Sequence, residues 1–295
     1  MYRAKIQTNI LAAQHAPYFL VYGHQDAYNR IGTPAAELDE QGREHVYVDS
    51  RRAAIYFMVS DFSTPKGDYS NLIYRIHFPR VPYSLIPFHL SAGNNGGLLV
   101  VVTLNAERQP VLVTTVHTCG CYLSIIPTTH LAQNSFPEGW ADQPVYVYGE
   151  TLPGRLNLSG ASKPKVLIHL RPGTHRVMNV EAVAENRGYS SSRPGVIQAP
   201  LLPIKQLERL ALNGGTTSFY YPTGIRKGHV KGSLKPWESI LLGLFALDLF
   251  VGSDKVYADR GQSGNIFYTS LKPWNRSASD MWDFGRFLHF WGWRL

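Results

Sequence analysis

The sequence predicts an α+β protein: an antiparallel, β-rich body, built as a sandwich or a barrel, with a C-terminal helical cap. Three observations favour this class. Stretches rich in Val, Ile, Tyr and Phe alternate with turn residues across residues 1–185, as expected for short strands. No long helical pattern separates these stretches, which argues against a parallel βαβ sheet. Helical signals dominate only near the C-terminus, in residues 237–295.

Each strand prediction depends on an apolar or alternating run that is bounded by turn residues. The predicted strands are 17–22, 44–49, 54–59, 71–78, 98–104, 111–126, 144–148, 166–170 and 176–182. The run 98–102 is apolar without interruption, so both of its faces should be buried. Turn-forming residues at 105–110 and 171–175 predict two hairpins. The glycine-rich stretch 91–97 is expected to form a flexible loop.

Composition divides the chain of 295 residues into three parts, which we expect to form one structural unit. They are a β-rich body at 1–185, a basic linker or loop segment at 186–236 and a helical cap at 237–295. The segment 186–236 contains eight Lys or Arg residues and one Glu, so it carries +7 of the net charge of +8. Within it, residues 190–195 resemble a linker in composition, and 204–212 predict a short helix.

Two helices are predicted in the cap. Pro236 suits the first turn of a helix that continues through the apolar run 237–251, which only Glu238 and Asp248 interrupt. A helix of about 15 residues rises only about 22 Å, less than the roughly 30 Å of a bilayer core, so burial within protein is expected. We expect Asp248 to pair with a basic residue. A final aromatic helix should begin near Ser279.

The sharpest chemical pattern is VLVTTVHTCGCY at 111–122, which contains the only two cysteines of the chain. If this stretch is one strand, side-chain alternation places His117, Cys119 and Cys121 on the same face. Thiolates and imidazoles are good ligands for zinc, copper or iron. We therefore expect a protein that binds a transition metal or haem, and a metalloenzyme is one form that such a protein takes. Four histidines near neighbouring strands are candidates to complete the site: His89, His130, His169 and His175.

Two other interpretations of the same residues remain open. Buried cysteine often packs as a small hydrophobic side chain, with a nearby histidine satisfied by a hydrogen bond. Alternatively, His117 could activate one of the thiols as a nucleophile. A disulfide between Cys119 and Cys121 is disfavoured, because Cα atoms two residues apart on a strand lie about 6.6 Å from each other.

Basic residues suggest anion binding at two places, and thus a second kind of function. Arg171 and Arg176 flank a predicted hairpin turn and suit a carboxylate or a phosphate. In the basic segment, tyrosines and Trp237 interleave with four cations: Arg226, Lys227, Lys231 and Lys235. This mixture suits a non-catalytic binding module that contacts a polyanion or an anionic lipid surface through residues 186–236. A solvated basic loop is the simpler alternative.

The sequence contains none of the common motifs of serine hydrolases, zinc peptidases, P-loop proteins or dinucleotide-binding proteins. We find no signal-peptide pattern, so the cytoplasm is the default expectation. A processed periplasmic protein and a peripheral membrane protein are also compatible with this sequence.

Overall fold

The computed structural model describes residues 1–5, 10–159, 164–184 and 195–295. The strands are β1 Tyr2–Lys5, β2 Tyr18–Val21, β3 Thr33–Leu38, β4 Glu44–Asp49, β5 Ile55–Thr64, β6 Gly67–Val81, β7 Gly93–Leu104, β8 Pro110–His117, β9 Ser124–Pro127, β10 Val145–Val147, β11 Glu150–Leu152, β12 Pro164–Leu170, β13 Val177–Ala184, β14 Ile197–Pro203, β15 Leu210–Leu212 and β16 Gly215–Thr217. The helices are α1 Ile10–His15, α2 Pro236–Ala246, α3 Arg260–Ser263 and α4 Phe284–Phe290.

Ten strands form one curled, mixed sheet in the order β13-β12-β2-β1-β14-β5-β6-β7-β8-β9. Strands β5 to β9 are consecutive in the chain, and each pairs antiparallel with the next. Three other pairs are parallel: β1 with β14, β2 with β12 and β5 with β14. The expectation of a purely antiparallel sheet is therefore not met, because a strand from late in the chain inserts between β1 and β5.

The central strands β6, β7 and β8 are buried on both faces, as the uninterrupted apolar run in β7 predicts. On one face, Leu72 and Val100 belong to a core that includes side chains of β1, β2 and β12. On the other face, Leu99 and Val101 share a core with Phe287 of α4. Consequently the C-terminal helix covers one side of the β-rich body, which agrees with the expected arrangement.

Several predicted elements have different limits in the structure. The predicted strand 111–126 is two strands, β8 and β9, separated by a chain reversal. The predicted loop 91–97 is largely strand, because β7 begins at Gly93, where the backbone passes close to the carbonyl group of Leu234. The predicted linker residues 190–194 lie outside the described residues, and 197–203 form β14.

The predicted helix 204–212 is wrong. A short 3-10 turn at Ile204–Glu208 leads into the hairpin of β15 and β16. Asn213 and Gly214 connect these strands with φ values of 41° and 82°, the left-handed conformations that an Asn-Gly hairpin turn uses. The local Asn-Gly signal therefore outweighs the weak helical pattern that precedes it.

Helix α2 ends at Ala246, because Leu247 adopts a left-handed conformation with φ 47°. Its burial contradicts the expectation of a helix covered on all sides. The residues that face the body are Glu238, Gly243 and Ala246, whereas Leu244 and Phe245 are largely exposed. No helix among the described residues is long and apolar enough to cross a membrane.

The final helix, α4, begins at Phe284 instead of near Ser279. Asp283 is its N-cap, and the carboxylate accepts a hydrogen bond from the backbone N–H of Arg286. Ser279 is buried and lies before the helix, where its hydroxyl group accepts from the backbone N–H of Ser270.

Candidate functional site

The chain reverses direction immediately after β8, and this reversal sets the position of both cysteines. The backbone N–H of His117 donates to the carbonyl of Cys121 over 2.9 Å, and that of Gly120 donates to the carbonyl of His117 over 2.8 Å. Gly120 has φ 94°, a conformation that favours glycine. Strand alternation therefore stops at His117, and the three side chains do not extend from one flat ribbon.

The sulfur atoms of Cys119 and Cys121 are nevertheless close together, and Glu238 joins them. One ligand atom from each of the three residues lies within 4.8 Å of the other two. Glu238 comes from the first turn of α2, which Pro236 begins. It is 1% exposed, and its Oε2 atom has no hydrogen-bond partner in the described part of the chain. A buried carboxylate without a full set of partners is costly, which marks this atom as a potential ligand.

A cavity of about 250 Å³ adjoins this cluster. The two thiols and the Glu238 carboxylate form its polar part. Three tyrosines and apolar side chains form most of the remaining wall, with Gly120 and Thr269: Leu90, Tyr122, Tyr148, Leu242, Val251, Tyr268 and Leu271. The cluster is thus accessible to a small ligand, whereas the surrounding wall keeps its dielectric environment low.

Two buried lysines lie beside the cluster. Lys235 Nζ is 3.1 Å from Asp254 Oδ2, and both side chains are almost fully inaccessible. Burial opposes the charge of Lys235, but Asp254 holds the pKa of this ammonium group well above its usual value. Lys255 Nζ donates to the backbone carbonyl of Cys119 over 2.8 Å and lies 4.4 Å from the centre of the Tyr268 ring. Burial lowers the pKa of Lys255.

The two thiols share a hydrogen bond that makes them unequal. The thiol of Cys121 donates toward Cys119, which lowers the pKa of Cys119, and Lys235 adds to this effect. The same hydrogen bond, together with burial, raises the pKa of Cys121. Burial also raises the pKa of Glu238. Cys119 is therefore the sulfur of the pair that ionises more readily.

The predicted histidine ligands occupy other places. His117 Nε2 donates to the carbonyl of His175 over 3.2 Å, and the ring of His175 stacks on Phe78. His89 Nδ1 donates to the carbonyl of Pro82 over 2.9 Å. None of these imidazoles belongs to the sulfur cluster in the described chain.

The two remaining histidine candidates are also outside the cluster. His169 lies on β12, with Nε2 2.8 Å from a carboxylate oxygen of Glu181, and it hydrogen-bonds to Tyr22. His130 follows β9, where its backbone N–H donates to the hydroxyl of Thr128. Among the described residues, the third potential ligand beside the two thiols is Glu238. The sequence pattern predicts a histidine in this position.

The predicted anion-binding residues do not form one surface. Arg171 is paired with Glu150 at 2.5 Å, and Lys231 is paired with Glu44 at 2.6 Å. Lys235 faces inward toward Asp254, as described above. The other residues have the following contacts: Arg176 donates to the carbonyl of Tyr148, Arg226 lies over the rings of Tyr221 and Phe250, and Lys227 lies against Gly264.

Sequence reasoning missed Glu238, Asp254 and Lys255 as parts of this site. A single acidic residue in the first turn of an otherwise apolar helix is a signal for Glu238. Asp254 and Lys255 sit in a short polar stretch with no periodic pattern, so no comparable signal exists for them. Asp248, by contrast, behaves as expected: it accepts from the Tyr268 hydroxyl over 2.6 Å and lies 3.9 Å from Arg276.

Comparisons with protein-family models, with curated proteins and with solved structures found no match to this chain. Its function is therefore inferred from the chemistry of its own residues.

Proposed function

We propose that the protein binds one divalent transition-metal ion, with zinc as the leading candidate, through Cys119, Cys121 and Glu238. The observation that carries this proposal is the approach of two sulfurs and one carboxylate oxygen to within 4.8 Å of one another. Donors of a tetrahedral zinc site lie about 3.5–3.8 Å apart, given bond lengths of about 2.0–2.3 Å. A contraction of about 1.3 Å at most would therefore close the site.

The donor set supports zinc over harder metals. Thiolates select soft or borderline ions such as zinc, copper(I) and iron, and a carboxylate oxygen is also an accepted zinc ligand. Three protein ligands leave a fourth position, which faces the cavity of about 250 Å³. This volume lies below the usual range for drug-sized ligands, so it favours an ion with a small ligand over a porphyrin.

Charge balance also supports a bound cation. Two thiolates, the Glu238 carboxylate and the Asp254 carboxylate carry four negative charges. A divalent ion with Lys235 and Lys255 carries four positive charges, so the loaded site is neutral. Buried charges are tolerated when they are compensated in this way.

A second candidate function is covalent chemistry at the Cys119 thiolate. The hydrogen bond from Cys121 and the nearby ammonium groups favour ionisation of this sulfur, as expected for a nucleophile. Glu238, whose pKa is raised by burial, is positioned in the same cavity to donate a proton. This candidate requires free thiols, so metal content distinguishes the two.

The decisive experiment is metal analysis of freshly purified protein, followed by zinc titration of the reduced, metal-free protein against a chromogenic chelator. We expect one zinc per chain, and loss of stoichiometric binding in Cys119→Ser and Cys121→Ser. His169→Gln is the matched control, since His169 lies outside the cluster. Absence of metal together with no binding by the reduced apoprotein would refute the metal site. Rapid, selective alkylation of Cys119 in that case would support the nucleophile instead.

A further inference from the structure

Helix α2 presents its large apolar side chains to solvent and its small ones to the body. The inward-facing residues Gly243 and Ala246 permit close packing, whereas Leu244 and Phe245 point outward. The segment 225–250 contains this helix, and side chains from two other segments, 83–90 and 269–276, extend the exposed region. Seven residues of the region expose more than three quarters of their surface: Leu85, Ile86, Ile225, Leu244, Phe245, Leu249 and Trp274. We call this region the apolar surface.

Contacts hold the three segments next to one another. The ring of Phe88, in the loop that contains Ile86, lies 5.9 Å from the ring of Trp237 at the start of α2. At the other end, the guanidinium of Arg276 donates to the carbonyl of Ala246. Arg226, next to Ile225, places its guanidinium 5.4 Å from the ring of Phe250. Large exposed apolar side chains gathered on neighbouring segments mark interaction or membrane-contact sites.

The exposed charges within the three segments have one sign. Within residues 83–90, 225–250 and 269–276, the acidic residues are Glu238, which is buried, and Asp248, which is paired with Tyr268 and Arg276. The exposed charged residues are Arg226 and Lys272. Two exposed cations together with exposed Leu, Ile, Phe and Trp side chains match the composition that favours the interface of an anionic bilayer.

We propose that the apolar surface docks onto an anionic lipid bilayer, with its apolar side chains in the interfacial region and Arg226 and Lys272 at the headgroups. A second copy of the chain is a poorer occupant. The chain carries a net charge of +8, and self-association through this surface would bring the same cations of two copies together. Trp274 is also suited to the interface, where one edge of the indole contacts water.

The docked orientation would place the cavity near the lipid. Leu90, Leu242 and Leu271 line the cavity, and each belongs to one of the three segments that form the apolar surface. This inference extends beyond metal binding and does not depend on it, because none of the surface residues is a ligand of the proposed site.

Vesicle flotation of the full-length protein tests the proposal. We expect binding to vesicles of phosphatidylcholine with phosphatidylglycerol and much weaker binding to phosphatidylcholine alone. Ile86→Asp combined with Leu244→Asp should reduce the partition coefficient at least about tenfold, since both positions are largely exposed and tolerate polar residues. Arg226→Glu should reduce it about fivefold or more, in a salt-dependent manner. Leu38→Ser, in the β3–β4 hairpin, is the control and should bind normally.

Equal binding to both kinds of vesicle, or unchanged binding by the double variant with a native circular dichroism spectrum, would overturn the proposal. Sedimentation of the same proteins tests whether a second copy of the chain binds the apolar surface instead of lipid. A concentration-dependent dimer that the double variant abolishes, without vesicle binding by the parent protein, would assign the apolar surface to self-association and refute lipid docking.

Discussion

Lys255 Nζ lies 2.8 Å from the backbone carbonyl oxygen of Cys119, and both residues are buried. The same ammonium group contacts the carbonyl of Ser253 at 3.5 Å and the face of the Tyr268 ring. These partners satisfy its hydrogen-bonding capacity but provide no formal negative charge. An ammonium group in this position favours an anionic sulfur next to it, whether the sulfur is a metal ligand or a nucleophile.

Replacing Lys255 by Met tests this relationship. The metal-free variant should alkylate its cysteines with a profile shifted to higher pH, because the thiolate loses a neighbouring cation. The Cys119 carbonyl would lose its donor, so we expect the free energy of unfolding to fall by about 1–3 kcal/mol. The measurement is the rate of iodoacetamide modification against pH, resolved by mass spectrometry. Lys66→Met, at an exposed position, is the control. An unchanged profile would show that Lys255 does not stabilise the thiolate.

Glu238→Gln separates metal binding from folding. The buried Glu238 carboxylate has an unpartnered oxygen, and burial raises its pKa. A neutral amide of the same shape should therefore leave the unfolding free energy of the metal-free protein unchanged within about 1 kcal/mol, or raise it. Zinc affinity should fall at least about tenfold, because an amide oxygen is a weaker zinc ligand than a carboxylate.

Urea denaturation of the metal-free protein and zinc competition titration give these two values. Zinc should also protect the parent protein from unfolding, by roughly 2.7 kcal/mol at a free concentration one hundred times the dissociation constant. Equal zinc affinity in the parent and the variant would remove Glu238 from the proposed site.

Gly120→Ala probes the chain reversal that positions the thiols. Gly120 has φ 94°, and a Cβ atom there would overlap the carbonyl oxygen of Tyr268. We expect a loss of more than about 2 kcal/mol of unfolding free energy, from the left-handed backbone and the steric overlap together. Gly42→Ala is a matched control, because Gly42 has φ 73° with no atom within 4 Å of its Cβ position. The free energy of unfolding of Gly42→Ala should fall by about 1 kcal/mol. A similar fall in both variants would show that the structure accommodates the overlap with the Tyr268 carbonyl oxygen at a small energetic cost.

His77 predicts a dependence of stability on pH. The ring is fully buried, and its Nε2 accepts a hydrogen bond from Arg75 Nε over 2.9 Å. Burial, with the Arg75 guanidinium as a second cause, lowers the pKa of His77 well below 6.5. The unfolded chain therefore binds a proton that the folded chain excludes. Stability is complete above a pH of about 6.5 and is lost progressively as the pH falls below that value.

Urea unfolding at several pH values measures this effect. His77→Gln keeps an acceptor for Arg75 but removes the proton site, so the slope of stability against pH should decrease by up to about 1.4 kcal/mol per pH unit in the acidic range. His45→Gln, at an exposed ring, is the comparison variant. An unchanged slope in His77→Gln would show that protonation of His77 does not cause the loss of stability at acidic pH.

Local sequence signals were sufficient for most of the strands. The apolar runs in β7 and β12 and the alternating run in β4 lie where the pattern predicts them, because strand formation follows side-chain burial on one or both faces. The parallel pairs with β14 had no such signal. Pairing between segments far apart in the chain depends on which sheet edges remain free, and a linear pattern does not record that information.

At the candidate site, too, local sequence signals predicted one part and contacts between distant segments decided the rest. The spacing of Cys119 and Cys121 drew attention to this stretch, but the strand ends at His117 and the chain turns, so alternation did not predict which side chain lies beside the two thiols. Glu238 is more than a hundred residues away and reaches the thiols only because α2 packs its small face against the body. Tertiary packing therefore placed next to the thiols a carboxylate that the local pattern did not indicate.

The amino-acid sequence by itself determined that this protein is strand-rich, that a helix lies near its C-terminus and that its two thiols lie close together, because burial periodicity and chain proximity are local properties. Only the tertiary structure decided that the sheet is mixed, that Glu238 and two lysines surround the thiols, and that the large apolar residues of α2 face solvent. These features depend on contacts between distant segments, where packing and charge compensation outweigh local preference.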